Sequence, residues 1–301
     1  MPSNPAKDAC RAGRLVVVCT PIGNLGDMTL RALDVLASAD AVYSEDTRVT
    51  SKLFAALGIE APRPLRLDEN TLAAKASEVA GRIAAGEVVA YCTDAGMPGV
   101  SDPGMRLVAA VRGEGLDVEV LPGASAASTA YVASGFPATS FYFGGFFPRK
   151  QGDRAALLAE LAGLDAALVF YESPNRLVGA LRAVADAFPS RDVAVCRELT
   201  KLHEEVTVLP APEAAELFAR REREGRIKGE IAFVVSAPTA AEHAAHAQDA
   251  AGQAEACALQ LAQEGRTQKD IAKAVAARFG IPRNEAYAIA LAARESACGA
   301  E

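Results

Sequence analysis

Tyr91-Cys-Thr-Asp-Ala-Gly-Met-Pro-Gly-Val-Ser-Asp-Pro-Gly104 is the stretch on which the reading of this chain turns. The run Val88–Cys92 that leads into it is continuously apolar, the pattern of a buried strand. Met105–Arg112 behind it has the apolar spacing of a helix. Between the two stand Gly96, Pro98, Gly99, Pro103 and Gly104, with Asp94 and Asp102 as the only charges. A loop of this kind at the carboxyl end of a strand is where open α/β sheets bind ligands. It has no lysine, so it is no phosphate cradle.

A second glycine loop has the same placement. Leu15–Cys19 reads as a strand, Thr20-Pro-Ile-Gly-Asn-Leu-Gly-Asp27 as a loop, and Thr29–Leu36 as the start of a helix with Asp27 or Met28 near its cap. Neither loop matches the P-loop pattern or the Gly-x-Gly-x-x-Gly dinucleotide fingerprint. Either loop alone is readily a tight strand-to-helix turn; two with extra glycines predict a ligand cleft.

Working outward, strands are expected at Ala41–Ser44 and Val118–Leu121 and helices at Thr50–Leu57 and Leu72–Ala85. This alternation predicts a mainly parallel sheet with helices on its faces, over residues 14–134. Gly135-Phe136-Pro137 reads as a boundary. After it, strands at Phe141–Gly144, Ala167–Tyr171, Val193–Cys196, Glu205–Leu209 and Glu230–Ser236 alternate with helices, closely enough spaced to predict a mixed sheet over 135–237. The fold class is therefore α/β, two α/β/α domains with a ligand cleft between them, plus a small helical C-terminal tail. Residues 1–13 are polar and read as a flexible N-terminus. Residues 238–253 read as a linker or weak helix, and 254–301 as a helix-turn-helix-like tail. Between Arg266 and Arg294 that tail has six basic residues, Lys269 and Lys273 among them, against Asp270 and Glu285. Charge and pattern together favour nucleic-acid contact over a solvated tail packed on the body or on a second subunit.

The 301 residues are 50% hydrophobic and 23% charged, a globular composition, with a net charge of −7 that permits only local basic patches. The six cysteines include no Cys-x-x-Cys pair and read as free thiols of a cytoplasmic protein. No apolar run reaches the length of a membrane span. His243 and His246 lie three apart without a second cluster, so no metal site is expected.

Further stretches complete a pattern: Ser44-Glu-Asp-Thr-Arg48, Asp68-Glu-Asn70, Leu121-Pro-Gly-Ala-Ser125, Phe146-Phe-Pro-Arg-Lys150, Tyr171-Glu-Ser-Pro-Asn-Arg176, Cys196-Arg-Glu-Leu-Thr-Lys201 with His203-Glu-Glu205, and Lys228-Gly-Glu230. In this order, with the two glycine loops, they resemble the tetrapyrrole methylase superfamily. Within it they are similar to the branch that methylates a cytidine ribose 2′-oxygen in small-subunit (16S) ribosomal RNA. Where the tetrapyrrole enzymes usually have Gly-Asp-Pro, this chain has Thr93-Asp94-Ala95, a departure that favours the RNA branch.

The resemblance implies S-adenosyl-L-methionine as cofactor, lined by Pro21, Asp94, Ala95, Gly96, Met97, Asp102, Ser125 and Ala126, and closed by Tyr171, Leu199, Lys228, Gly229 and Glu230. It also implies a homodimer acting on the small ribosomal subunit. A ribose hydroxyl needs to lose its proton, and Glu172, Glu198 and Asp46 are the candidate bases. Each also has a simple ion-pair reading: Glu172 with Arg176, Glu198 with Arg197 or Lys201, and Asp46 with Arg48. For RNA, Arg48, Arg149, Lys150, Arg176 and Lys201 are the candidate phosphate contacts beside Lys269 and Lys273. At least one of Phe146 and Phe147 is expected in the core. Two other classes compete: a methyltransferase of the same fold acting on a tetrapyrrole or another small molecule, and a non-catalytic nucleic-acid-binding regulator.

Overall fold

The computed structural model describes residues 13–99 and 103–298. They divide into two compact units, residues 13–159 with 166–237 and residues 160–165 with 238–298. The first unit contains both sheets. The N-terminal segment and Asp102 lie outside the described residues.

The first sheet is built of β1 (Arg14–Val18), β2 (Ala41–Ser44), β3 (Leu65–Arg66), β4 (Val88–Cys92) and β5 (Asp117–Val120), in the order β3-β2-β4-β1-β5. Every pairing is parallel, with Leu15 opposite Val89 and Val17 opposite Tyr91. Because side chains alternate across a strand, Leu15, Val17, Val89 and Tyr91 face α3 (Leu72–Ala84) and α4 (Gly104–Gly113). Val16, Val18, Ala90 and Cys92 face α1 (Leu30–Ser38) and α2 (Thr47–Leu57). Both faces are covered, which is why these strands are unbroken apolar runs. β1 and β4 are neighbours, so their two glycine loops leave the sheet side by side. The N-cap of α1 is Thr29, whose hydroxyl accepts from the Ala32 N–H at 3.2 Å; the expected cap at Asp27 or Met28 is displaced because Asn24 starts a separate turn over Leu25–Asp27. The two-residue β3 is too short to leave a period in the sequence.

The second sheet has the order β6-β7-β10-β8-β9, from β6 (Phe141–Phe146), β7 (Ala167–Glu172), β8 (Asp192–Arg197), β9 (Glu205–Pro210) and β10 (Ile231–Val235). β6 and β7 are parallel and the other pairs antiparallel, so the sheet is mixed. On one face Ala167, Val169, Ala194, Cys196, Ala232 and Val234 pack against Ala127 and Ala130 of α5 (Ala126–Ser134). On the other, Phe147, Phe170 and Phe233 cluster with centroids 5.0–5.5 Å apart. The helix α5, which precedes the boundary expected at Gly135, packs on the second sheet. Its small residues let it sit close to a sheet face that is itself lined with alanines.

In the second unit α9 (Ala240–Gln263), α10 (Gln268–Phe279) and α11 (Arg283–Cys298) surround a core of alanines with Ile271 and Val275. The stretch 238–253, expected as a linker or weak helix, forms the first half of α9. A capping box, with Thr239 and Glu242 each satisfying the other's backbone N–H, starts the helix, and alanine carries it on. Thr267 caps α10 and left-handed Gly280 ends it, as the sequence predicts.

Candidate active site

At the carboxyl ends of β1 and β4 the two glycine loops are stitched together. Thr20 and Gly96 exchange both backbone hydrogen bonds, at 3.2 and 3.1 Å, and the Thr20 hydroxyl donates to the Thr93 carbonyl. Gly96 has φ +80°, and a Cβ there would stand 3.1 Å from the Ile22 side chain. Only glycine lets the second loop turn back this closely over the first.

The stitched loops form one wall of a cavity of about 400 Å³. Ile22, Ala95, Gly96 and Met97 come from these loops, and Ser125 and Ala126 at the start of α5 extend the wall. The ends of the second sheet supply the rest: Phe146, Tyr171–Pro174, Cys196, Leu199 and Gly229–Ala232. Leu199 is fixed by an unusual backbone, since its neighbours Glu198 (φ 52°) and Thr200 (φ 66°) are both left-handed non-glycine residues. Such strain persists only where the surroundings over-determine it. Here Glu198 donates its N–H to the Glu230 carbonyl, and its Oε1 accepts from the Glu230 N–H and from Lys201 Nζ, each at 2.9 Å. Gly229 has φ +88°, and a Cβ on it would lie 2.4 Å from the Glu198 carboxyl carbon.

Nine residues expected at a cofactor line this cavity: Ala95, Gly96, Met97, Ser125, Ala126, Tyr171, Leu199, Gly229 and Glu230. Pro21 and Lys228 are not among the lining residues: Pro21 is buried, and Lys228 is exposed with its backbone carbonyl accepting from Arg197. Asp94 lines a different, polar cavity. Ile22 and Cys196 stand in the quoted stretches, and Ile231 and Ala232 in the strand expected at Glu230–Ser236, but none was named for the cofactor. Only the approach of two sheet edges brings them to a common space. Phe147 is 1% exposed and belongs to the core, whereas Phe146 is 58% exposed and lies against the cavity, edge-on to Tyr171.

The polar cavity, about 660 Å³, lies at the carboxyl ends of β2, β3 and β4. Glu45, Asp46, Asp68, Glu69 and Asp94 line it with Thr47, Arg48, Arg66 and Asn70. Its arginines are engaged. Arg48 grips Asp46 at 2.6 Å, and Arg66 Nε donates to Asp68 at 2.6 Å. The hydrogen bonds from Arg48 hold the Asp46 carboxyl well below the usual carboxylate range. Asp94 is shifted the other way: burial raises it, the N–H of Asp46 lowers it, and the Asp46 charge raises it again.

Each candidate base forms an ion pair its sequence neighbours offered: Asp46 with Arg48, Glu198 with Lys201 at 2.9 Å, and Glu172 with Arg176. The backbone N–H of Glu230 and then Lys201 keep the Glu198 carboxyl low. Glu172 ends β7 and is among the residues lining the apolar cavity. There it is wholly buried, with Oε1 accepting from the Ser173 N–H at 2.7 Å. Burial pushes the Cys19 thiol up to about 11, and burial with the Glu204 charge pushes Cys196 up to about 12.

Of the candidate RNA contacts, Arg48, Arg176 and Lys201 form these ion pairs, Lys201 bridging Glu198 and Glu230. Arg149, Lys150, Lys269 and Lys273 are exposed. Arg154 supports the turn that carries Arg149 and Lys150, donating to the Pro148 carbonyl at 2.7 Å and lying over the Phe147 ring.

The sequence profile of the Tetrapyrrole (Corrin/Porphyrin) Methylases matches residues 14–215, spanning all of the first sheet and the second as far as α8 (Ala211–Arg223). The chain belongs to this family. Among tetrapyrrole methylases it is 38% identical over 280 residues to "Ribosomal RNA small subunit methyltransferase I" of Micromonospora olivasterospora, covering 93% of this chain and 87% of the relative. The protein of the same name from Thermotoga maritima is 40% identical over 224 residues, covering 74% of this chain and 98% of the relative. Solved structures share the fold. Uroporphyrin-III-C-methyltransferase from Thermus thermophilus superposes with a TM-score of 0.53 at 24% identity, over 74% of this chain and 94% of that one. Diphthine synthase gives 0.56 at 13%, over 74% and 90%. Among the described residues no helix is long and apolar enough to cross a membrane.

Proposed function

We propose that this tetrapyrrole methylase transfers a methyl group from S-adenosyl-L-methionine to the ribose 2′-oxygen of a cytidine in small-subunit ribosomal RNA. The observation that carries the reading is 38% identity over 93% of the chain to a relative named for small-subunit ribosomal RNA methylation. That match reaches past both sheets into the helical tail, which a small substrate would not require.

The apolar cavity suits the cofactor. A sulfonium cation with an adenine and a ribose needs apolar walls, close backbone approach and no opposing positive charge. The cavity has Ile22, Met97, Tyr171 and Leu199 as walls, Gly96 and Gly229 as points of approach, and no Lys or Arg in its lining. When bound there, the cofactor supplies an electrophilic methyl group on positively charged sulfur. The protein's task is to exclude water and to aim the acceptor oxygen; alignment alone supplies about 7–11 kcal/mol in favourable intramolecular cases. The half-exposed Phe146 and the exposed cations Arg149 and Lys150 offer an unstacked nucleotide a ring face and two phosphate contacts. The same reading makes the enzyme cytoplasmic and a homodimer, a state that sedimentation would measure.

The test is transfer of labelled methyl from S-adenosyl-L-methionine to small subunits purified from cells lacking this protein, with mass mapping of the product. One ribose methyl on a cytidine is the expected result. Labelling of a base, or of no RNA at all, would refute it.

A further inference from the structure

We propose that the outer face of α11 is a stacking surface for unpaired nucleotides of the small-subunit RNA, with Tyr287 as its platform and Arg283 and Arg294 as its phosphate contacts. This deepens the reading above and rests on its choice of RNA as partner. The face lies wholly within the second unit.

That unit has two aromatic residues, Phe279 and Tyr287. Phe279 ends α10, packs against the alanine core and lies beneath the Arg278 guanidinium at 5.5 Å. Tyr287 is left outside at 47% exposure, although its neighbours Ala286 and Ala290 are fully buried. The core is therefore closed without it. One turn on, Leu291 is exposed to the same degree. At about 3.6 residues per turn, Arg283, Tyr287, Leu291 and Arg294 fall within roughly 80° of the helix surface. They form one stripe, apolar in the middle and cationic at both ends. Arg283 and Arg294 are exposed and make no ion pair or side-chain hydrogen bond among the described residues. The exposed Ala288 and Ala292 keep the relief beside the stripe low. The acids of the helix stand off it, Glu295 roughly 80° and Glu285 roughly 160° round from Tyr287.

Charge selects the partner. From Arg266 to Arg294 six basic residues stand against two acidic ones, in a chain of net charge −7. An apolar strip with a guanidinium at each end matches a polynucleotide, in which phosphates flank every base. The form of the face selects single strands. The major groove of an RNA duplex is too deep and narrow for side chains to read, whereas bases of loops splay out onto aromatic rings and guanidinium planes. The helix-turn-helix pattern by itself would lay α11 in a duplex groove. The exposed ring of Tyr287 and the low relief around it fit a stacked base instead.

The experiment measures binding by full-length wild type, Tyr287→Ala, Tyr287→Phe and the double variant Arg283→Gln with Arg294→Gln. The probes are a single-stranded RNA oligonucleotide, the same strand annealed to its complement, and purified small subunits, each over a range of salt. Wild type should favour the strand over the duplex. Tyr287→Ala should weaken strand and subunit binding about 5–150-fold, the range for one lost base stack, with its salt slope unchanged. Tyr287→Phe, which keeps the ring, should bind as wild type does. The double arginine variant should lower the salt slope by about 0.7 per lost phosphate contact. Unaltered circular dichroism and S-adenosyl-L-methionine affinity in all variants would show that the fold is intact. Wild-type affinity in Tyr287→Ala, a wild type that does not favour the strand, or Tyr287→Phe as weak as Tyr287→Ala would overturn the stacking surface. So would a Tyr287→Ala defect confined to intact subunits, which would give the face to a ribosomal protein. A wild type that binds the strand through Tyr287 but transfers no methyl group to RNA would instead overturn the methyl-transfer reading and leave the stacking surface standing.

Discussion

Gly229 and Glu198 show how single residues set the cavity wall. Glycine lets the chain pass within contact of the Glu198 carboxyl at positive φ, and the Glu230 N–H then reaches Glu198 Oε1. Gly229→Ala meets both a forbidden backbone and a 2.4 Å contact. Chemical denaturation should show it destabilised by about 1–3 kcal/mol, and calorimetry should show weaker cofactor binding. Wild-type affinity would mean that the wall yields without consequence. Much at this scale was legible: the ion pairs of Asp46, Glu172 and Glu198 follow from basic residues two to four positions along.

At the scale of elements, the β8–β9 hairpin is held by charge. Glu205 sits between Arg197 at 2.9 Å and Arg221 at 2.6 Å, linking β8, β9 and α8. Burial by itself would raise its carboxyl, but hydrogen bonds from Arg197, Arg221 and Thr207 outweigh that and bring it down to about 2. A carboxylate depressed in the folded state adds stability that is complete above its unfolded pKa and fades as pH falls through the folded one. Glu205→Gln should therefore be less stable than wild type at neutral pH. The gap should close between the ordinary glutamate range and about 2. A gap in melting temperature that stays constant over that window would refute the linkage. The pairing of Glu205 with Arg221 was invisible in the sequence, because β9 and α8 are brought together only by the sheet. The place of α5 was hidden for a related reason: a helix of small residues shows no apolar stripe to say which sheet it covers.

For the whole molecule, the acidic chain exposes the candidate RNA-binding cations on more than one element. Arg149 and Lys150 stand beside the first unit's cavity loop, while Lys269 and Lys273 lie on α10. On α11 the half-exposed Tyr287 and Leu291 share a face with Arg283 and Arg294, four or fewer residues apart in turn. If these groups meet RNA phosphates, each lost contact lowers the salt slope of binding by about 0.7–0.9. Lys269→Gln with Lys273→Gln should thus weaken small-subunit binding, flatten its salt dependence and leave cofactor affinity intact. An unchanged slope would make the tail a structural appendage. Replacing Arg149 and Lys150 together should raise KM for small subunits with little change in kcat, because phosphate contacts position the substrate without touching the reacting atoms.

The sequence by itself determined the two kinds of sheet and the glycine loops, which follow from local rules: continuous apolar runs, breakers at strand ends, and caps such as Thr267 and Gly280. The residues named for the cofactor came from the resemblance carried by the ordered motifs, not from any local rule. Only the tertiary structure decided that Asp94 faces a separate polar cavity from its neighbour Ala95, that three candidate cations are already neutralised, and that Cys196, Ile231 and Ala232 share a wall with the first sheet's loops. The physical reason is that a side chain's surroundings depend on which distant strand ends meet. That meeting is set by packing of both sheet faces at once, and no local pattern encodes it.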